Sequence, residues 1–284
     1  MADNGFPGQD LADSIGRASL APTPPSAPGE APAPAAPRWW GNHFAELRWQ
    51  AELARLLVDP VYRGQGVPRG DGGPVILIPG FLAGDSSLAI MRNWLGRLGY
   101  RPFPAGMQVN VRCSDRSVDR LESVLERVHA RTGERVALIG HSRGGHFAKA
   151  LARRHPDQVS AVVSMGAGLD APYDISVPTK LAVGALRSLY AQTSDRVARK
   201  GCLTDTCDCR FSRDYAAPFP AEVPLTSIYS REDGVVRWSA CVVPYARCVE
   251  VTGSHVGLAF NRKVYRVLAH TLAEQTATTQ SPTT

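Results

Sequence analysis

The sequence predicts an α/β protein with a mostly parallel sheet. Short apolar runs alternate with amphipathic segments from about residue 74 to the C-terminus. This is the pattern of a sheet whose strands are covered by helices on both faces. The composition, 44% hydrophobic and 20% charged over 284 residues, suits one domain with a sizeable core.

The N-terminal part differs in composition from the rest. Residues 21–37 read APTPPSAPGEAPAPAAP, and proline lacks the N–H that helices and sheets need. We expect residues 1–41 to form a disordered Pro/Ala-rich tail and residues 42–284 to form the domain. The first residues carry acids and no apolar core segment, which is unlike a secretory signal and predicts a cytoplasmic protein.

The domain is predicted to begin with a helix over residues 42–58, where apolar residues recur at three- and four-residue steps. About six strands follow, with helices between them. The strands are predicted at residues 74–80, 100–104, 135–140, 159–166, 224–230 and 246–251. The helices are predicted at 85–99, at 117–133, after residue 142, near 235–241 and up to about 273.

An insertion around residues 169–220 interrupts this alternation. It contains the amphipathic stretch VPTKLAVGALRSLYAQ, so we expect a helical cap over the carboxyl ends of the strands. Cys202, Cys207 and Cys209 lie in the same insertion with a spacing that matches no zinc site, so no metal is expected. The sequence leaves open whether the cysteines form disulfides.

The stretch VALIGHSRGGHFAKAL, which runs from Val136 to Leu151, predicts a nucleophile. An apolar strand ends at a G-x-S-x-G motif, and a helix pattern follows. Flanking glycines let strand and helix approach closely, so that the central serine is held in a strained, exposed corner. Ser142 is therefore the candidate nucleophile.

A serine nucleophile needs a base and an acid that orients the base. Asp233 follows the strand that ends near residue 230, and His255 follows the last strand. The carboxyl ends of parallel strands carry the reactive groups of such sheets, and the chain order Ser142, Asp233, His255 fits a triad. Asp170, which follows an earlier strand, is the rival candidate for the acid.

The tetrahedral intermediate of acyl transfer also needs hydrogen-bond donors for its oxyanion. The backbone N–H groups of Phe81, after the first strand, and of Arg143, after the nucleophile, are the candidates. Substrate-binding candidates are Leu82 in the same loop and Leu186 and Leu189 in the cap, since an apolar cap face would hold an acyl chain.

Four stretches, LIPGF, GHSRGG, IYSREDGVV and GSHVG, together resemble the lipase/esterase branch of the α/β-hydrolase superfamily, and residues 42–273 resemble actinobacterial-type esterases and lipases. The resemblance implies the α/β-hydrolase fold and cofactor-free hydrolysis of carboxylic esters through an acyl-enzyme. It gives Ser142 as nucleophile, His255 as base and Asp233 as acid. Two features depart from the pattern of this branch. Pro79 stands before the glycine of the oxyanion loop, where many lipases have a histidine. No antiparallel strands are predicted before the first parallel strand.

Two other functions use the same predicted residues. An acyltransferase or thioesterase would need the same triad, and a non-catalytic binding protein could share the fold, although it would not need all three side chains. The expected partner is a small-molecule or lipid ester. The net charge of +6 is scattered, which does not indicate nucleic-acid binding, and no apolar run is long enough to span a membrane. The oligomeric state is left open.

Overall fold

A computed structural model of the protein describes residues 39–192 and 207–279, with side chains described for residues 39–188 and 207–275. The predicted tail, apart from its last three residues, and Cys202 lie outside the described residues. None of the described helices is both long enough and apolar enough to cross a lipid bilayer.

The described residues form one six-stranded sheet in which every neighbouring pair of strands is parallel. The strands are β1 (Pro74–Ile78), β2 (Arg101–Pro104), β3 (Val136–His141), β4 (Val159–Met165), β5 (Leu225–Ser230) and β6 (Arg247–Val251). Their order is β2-β1-β3-β4-β5-β6. The predicted parallel sheet is therefore confirmed. The order reverses between β1 and β3, so a crevice opens at the carboxyl ends of these two strands.

Helices cover both faces of the sheet. The α-helices are α1 (Trp49–Val58), α2 (Ala89–Leu98), α3 (Ser114–Thr132), α4 (Arg143–Arg154), α5 (Val177–Gln192), α6 (Arg210–Ala216) and α7 (Arg262–Thr279). Three predicted helices differ from the observed elements. Two of them begin as 3-10 helices, His43–Arg48 before α1 and Asp85–Leu88 before α2, and the one near residue 238 is only a 3-10 helix, Trp238–Cys241.

Two buried clusters hold these layers together. On one face, α1, α2 and α7 pack on the sheet, and Trp94 packs against Tyr265 with ring centroids 4.5 Å apart. The indole N–H of Trp94 donates to the carbonyl of Val61 at 2.8 Å, so this buried polar group is satisfied. On the other face, α3, α4 and α6 pack on the sheet around Phe147.

The insertion divides into two parts with different environments. Its first part enters through an antiparallel bridge between Ile175 and Val236 and continues as α5. Its last part is α6, whose Phe211 and Tyr215 are buried in the second cluster. The sequence analysis did not predict α6, which packs in the core. Cys209 and Cys241 are buried thiols.

Close backbone contact joins the start of α4 to the end of β1. A methyl group at Gly144 would lie 2.1 Å from the carbonyl oxygen of Ile78, and one at Gly140 would lie 2.4 Å from the backbone of Gly144. Only hydrogen fits at these two positions. The two glycines of the G-x-S-x-G motif therefore let β3, α4 and β1 meet at one corner.

We expect Gly144→Ala to lower the free energy of unfolding by about 3 kcal/mol or more, because the added methyl group overlaps backbone that cannot move aside. Urea denaturation measures this change. The matched control is Gly96→Ala, in a helix where the methyl group meets no atom closer than 3.9 Å. It should stabilise the protein by up to about 1 kcal/mol through helix propensity. Equal stabilities for the two variants would contradict this account of the corner.

Candidate active site

Ser142 occupies the strained corner between β3 and α4. Its backbone has φ 52° and ψ −126°, a conformation that non-glycine residues adopt rarely. Its N–H donates to the carbonyl of Met165 at 2.7 Å, and its own carbonyl accepts from Gly145 N at 2.8 Å. These bonds hold the strained residue in place at the crevice.

His255 and Asp233 form a buried pair, and His255 lines the same cavity as Ser142. The Nδ1–H of His255 donates to Oδ2 of Asp233 at 2.7 Å. The other carboxylate oxygen accepts from the backbone N–H groups of Val235 and Val236, both at 2.8 Å. Both oxygens of Asp233 are therefore bonded, which fixes the carboxylate and leaves the imidazole Nε2 as the basic nitrogen.

Opposing effects act on the pKa of His255. Burial lowers this pKa, but the charge of Asp233, the hydrogen bond to it and the charge of Glu46 raise it. The net pKa of His255 is above its ordinary value. An imidazole in this setting accepts a proton more readily than one buried without a carboxylate.

A glycine on β4's carboxyl side makes room for the pair. A methyl group at Gly166 would lie 3.1 Å from Nδ1 of His255 and 3.2 Å from Oδ2 of Asp233. Gly166 also has φ +61°, a left-handed conformation that favours glycine. The close approach and the backbone conformation both favour glycine here.

His141, the residue before Ser142, is hydrogen-bonded to the backbone of His255. Its Nε2–H donates to the backbone carbonyl of His255 at 2.9 Å, and the two rings lie 5.0 Å apart. Burial and, to a smaller extent, the neighbouring His255 lower the pKa of His141 to about 4. His141 is therefore neutral at pH 7 and contributes no charge to the site.

A buried asparagine holds the loop after β1. The Nδ2 of Asn110 donates to the carbonyl of Pro79 at 2.9 Å, and its Oδ1 accepts from the Arg143 side chain at 2.8 Å. Its backbone pairs with Leu82 N at 3.1 Å and with Ala83 O at 2.8 Å. These bonds fix the loop that contains Phe81, one candidate oxyanion donor. Arg143, the other candidate, is the first residue of α4, where backbone N–H groups point out along the helix axis.

A cavity of about 230 Å³ opens beside Ser142 and His255. Its walls are mostly apolar side chains from several loops and from α5. These include Phe81, Ile175, Val183, Phe211, Val235 and Val236. Mostly apolar walls with a few convergent polar groups are typical of small-molecule sites.

Of the three predicted substrate-binding leucines, Leu82 and Leu186 are not among the described residues that line the cavity. Leu82 has a left-handed φ of 61° and is 55% exposed, so its side chain points to solvent. Leu186 is half-buried on α5, but the cavity is lined from this helix by Val183, one turn earlier, and by Thr179, two turns earlier. The side chain of Leu189 lies outside the described residues.

Asp170, the rival acid, lies in a different environment. Its carboxylate accepts from Lys149 Nζ at 3.2 Å and from the hydroxyl of Tyr245. More than half of its side chain is exposed. The structure brings Asp233, and not Asp170, to His255.

Two residues that the sequence analysis missed also bear on the site: Asn110 and Glu46. Glu46 accepts from backbone N–H groups at Gly234, His255 and Val256. Neither residue belongs to a motif, and the contacts of Glu46 join positions about 190 to 210 residues apart. No local pattern in the sequence signals contacts of this range.

Comparisons with known proteins agree with this architecture. Residues 73–208 match the model of a family described as the alpha/beta hydrolase fold. A monoacylglycerol lipase from Paleococcus ferrophilus is 14% identical, with a TM-score of 0.52 over 74% of this chain and 97% of that one. A lipase from Bacillus licheniformis is 15% identical, with a TM-score of 0.51 over 73% and 94%. No curated protein matches the sequence.

The parallel sheet, the sharp turn at Ser142 and the family match show that the chain has the α/β-hydrolase fold. The predicted fold is thereby confirmed. At these low identities the two lipases establish the fold alone. The narrower resemblance to actinobacterial-type enzymes stays a prediction.

The contrast between the two aspartates can be tested. We expect Asp233→Asn to lower kcat/KM for an ester by about 10³- to 10⁴-fold, because the amide cannot hold His255 in the productive tautomer. Asp170→Asn, the matched control, should leave kcat/KM nearly unchanged, since its carboxylate contacts Lys149 and Tyr245. Circular dichroism checks that both variants fold. A larger loss for Asp170→Asn would show that the acid is misassigned.

Proposed function

We propose that the protein is a serine hydrolase that cleaves carboxylic esters through an acyl-enzyme. One observation carries this proposal: the strained Ser142 and the buried His255–Asp233 pair meet at a single apolar cavity. A nucleophile, a base and an orienting acid are the three groups that serine acyl transfer needs. A protein that only binds a ligand would gain nothing from a strained serine beside a buried histidine–aspartate pair.

The reaction begins when the hydroxyl oxygen of Ser142 attacks the ester carbonyl carbon. The hydroxyl proton moves to Nε2 of His255, and the carbonyl π electrons move onto the oxygen. Asp233 stabilises the imidazolium through the Nδ1 hydrogen bond. The backbone N–H groups of Phe81 and Arg143 donate to the oxyanion.

Collapse of this intermediate breaks the bond to the alcohol oxygen. His255 returns its proton to the leaving alkoxide, which departs as the alcohol and leaves the acyl group on Ser142. Water then attacks the acyl-enzyme by the same route, with His255 taking one of its protons. The products are the carboxylic acid and free enzyme, so no cofactor takes part.

The apolar lining of the cavity favours esters with an apolar acyl chain as substrates. Its walls carry the side chains of Phe81, Val183 and Phe211, which offer no charge to a ligand. Each buried CH₂ group contributes about 0.8 kcal/mol, so a butyrate ester would be favoured over an acetate by about tenfold.

Replacement of the nucleophile tests the proposed function. We expect Ser142→Ala to lower turnover of p-nitrophenyl esters by about 10³-fold or more while leaving the fold intact. A labelled fluorophosphonate should modify the wild-type protein, and the label should disappear in the variant. Labelling that persists in Ser142→Ala, or a wild-type protein that hydrolyses no ester in a panel of increasing chain length, would overturn the proposal.

The chain preference is tested on α5. Val183→Asp puts a charge in the cavity wall, so we expect kcat/KM for a p-nitrophenyl hexanoate to fall at least about tenfold more than for the acetate. The matched control is Leu181→Asp on the same helix, where the side chain is 67% exposed and should tolerate the charge. Equal losses for both esters in Val183→Asp would show that the acyl chain binds elsewhere.

A further inference from the structure

An N-terminal segment, residues 39–58, packs against both loops that carry the proposed acid and base. We call residues 231–236 the acid loop and residues 252–257 the base loop. This segment precedes the residues that match the hydrolase family model, which begin at residue 73. Its contacts with the two loops are therefore a feature of this chain outside the matched region.

Glu46 connects the acid loop to the base loop with a single carboxylate. Its Oε1 accepts from Gly234 N at 2.9 Å and from His255 N at 3.0 Å. Its Oε2 accepts from Val256 N at 2.9 Å. Gly234 directly follows Asp233, so these bonds reach the backbone beside the acid and the backbone of the base itself. Hydrogen bonds to an ionised acceptor are about twice as strong as neutral ones.

A second carboxylate of the segment supports the base loop from behind. Glu52 is buried, and its oxygens accept from Ser254 N at 2.9 Å and Ser254 Oγ at 2.8 Å. The loop closes tightly around this side chain, because a methyl group at Gly257 would lie 1.4 Å from Oε2 of Glu52. Glu52 touches only the base loop, whereas Glu46 touches both.

We propose that Glu46 is a positioning residue that holds the acid loop and the base loop in register, so that Nε2 of His255 is aimed at Ser142. The inference depends on the proposed function, since it assigns Glu46 to the same site. Glu46 does not itself line the cavity and has no described contact with Ser142, so it acts through the backbone of His255 and Val256. Displacement of that backbone by about 1 Å is enough to lower a rate about 10²-fold.

The charge of Glu46 affects the pKa of His255, an effect that a residue with only a packing role would not have. Three titratable groups face His255: Asp233, Glu46 and the neutral His141. Burial lowers the pKa of His255, and the two carboxylates raise it. The base must be neutral to take a proton, so kcat/KM rises as the pH passes through the pKa of His255. Removal of the Glu46 charge lowers this pKa and moves the acid limb of the profile to lower pH.

The experiment compares Glu46→Gln and Glu46→Ala in the full chain. We expect Glu46→Ala to lower kcat/KM at pH 8 by about 10²-fold. Glu46→Gln keeps one acceptor oxygen and should lose less. The acid limb of the kcat/KM profile should move to lower pH in both variants. The matched control is Glu232→Gln, which removes an exposed carboxylate of the acid loop that contacts Arg48 of the same segment. This control should keep both the rate and the profile.

A second measurement separates this inference from the proposed function. The imidazole of His255 can be titrated by NMR in labelled protein, without any substrate, and its pKa should be lower in Glu46→Gln than in the wild type. A wild-type protein that hydrolyses no ester would refute the proposed function, while this titration would still test Glu46. An unchanged His255 titration in Glu46→Gln, or a uniform loss of rate at every pH, would overturn the positioning role.

Discussion

The hydrogen bond between His255 and Asp233 is the interaction on which the candidate site depends. Both side chains are almost fully buried, and a buried charge is costly unless it is paired and hydrogen-bonded. The surroundings meet this requirement from several directions. Backbone N–H groups bond the free oxygen of Asp233, Gly166 leaves room beside the pair, and neutral His141 bonds the backbone carbonyl of His255. The buried carboxylate of Asp233 therefore has hydrogen bonds to both of its oxygens.

The turn at Ser142 also depends on close packing of the surrounding backbone. A strained backbone persists only where its surroundings determine it completely. Here two glycines allow β1, β3 and α4 to come within contact distance, and hydrogen bonds from Ser142 N and Gly145 N fix the turn. The side chain of Arg143, the residue after Ser142, donates hydrogen bonds to Asn110 and to the carbonyl of Arg112. The turn at Ser142 and the loop after β1 are therefore joined in one rigid unit.

Local patterns predicted the elements and their order, because alternating apolar runs and a strand–turn–helix motif are encoded within about fifteen residues. Ser142, Asp233 and His255 could be chosen for the same reason: each follows a strand, and parallel strands end at one edge. Side-chain direction was harder to predict. The way in which α5 packs on the domain decides which of its side chains face the cavity. Val183 lines the cavity and Leu186 does not. Asn110 and Glu46 act through long-range backbone contacts that no spacing reveals.

The N-terminal segment has a consequence for how the chain folds. Glu46 is synthesised early, yet its partners at residues 255 and 256 lie 209 and 210 positions further along the chain. Contacts of such separation carry a large loop-closure entropy and form after local structure is in place. These contacts can form only after β6 and the base loop have been synthesised. A chain truncated before residue 252 therefore lacks His255 and the backbone groups of the base loop that bond to Glu46 and Glu52.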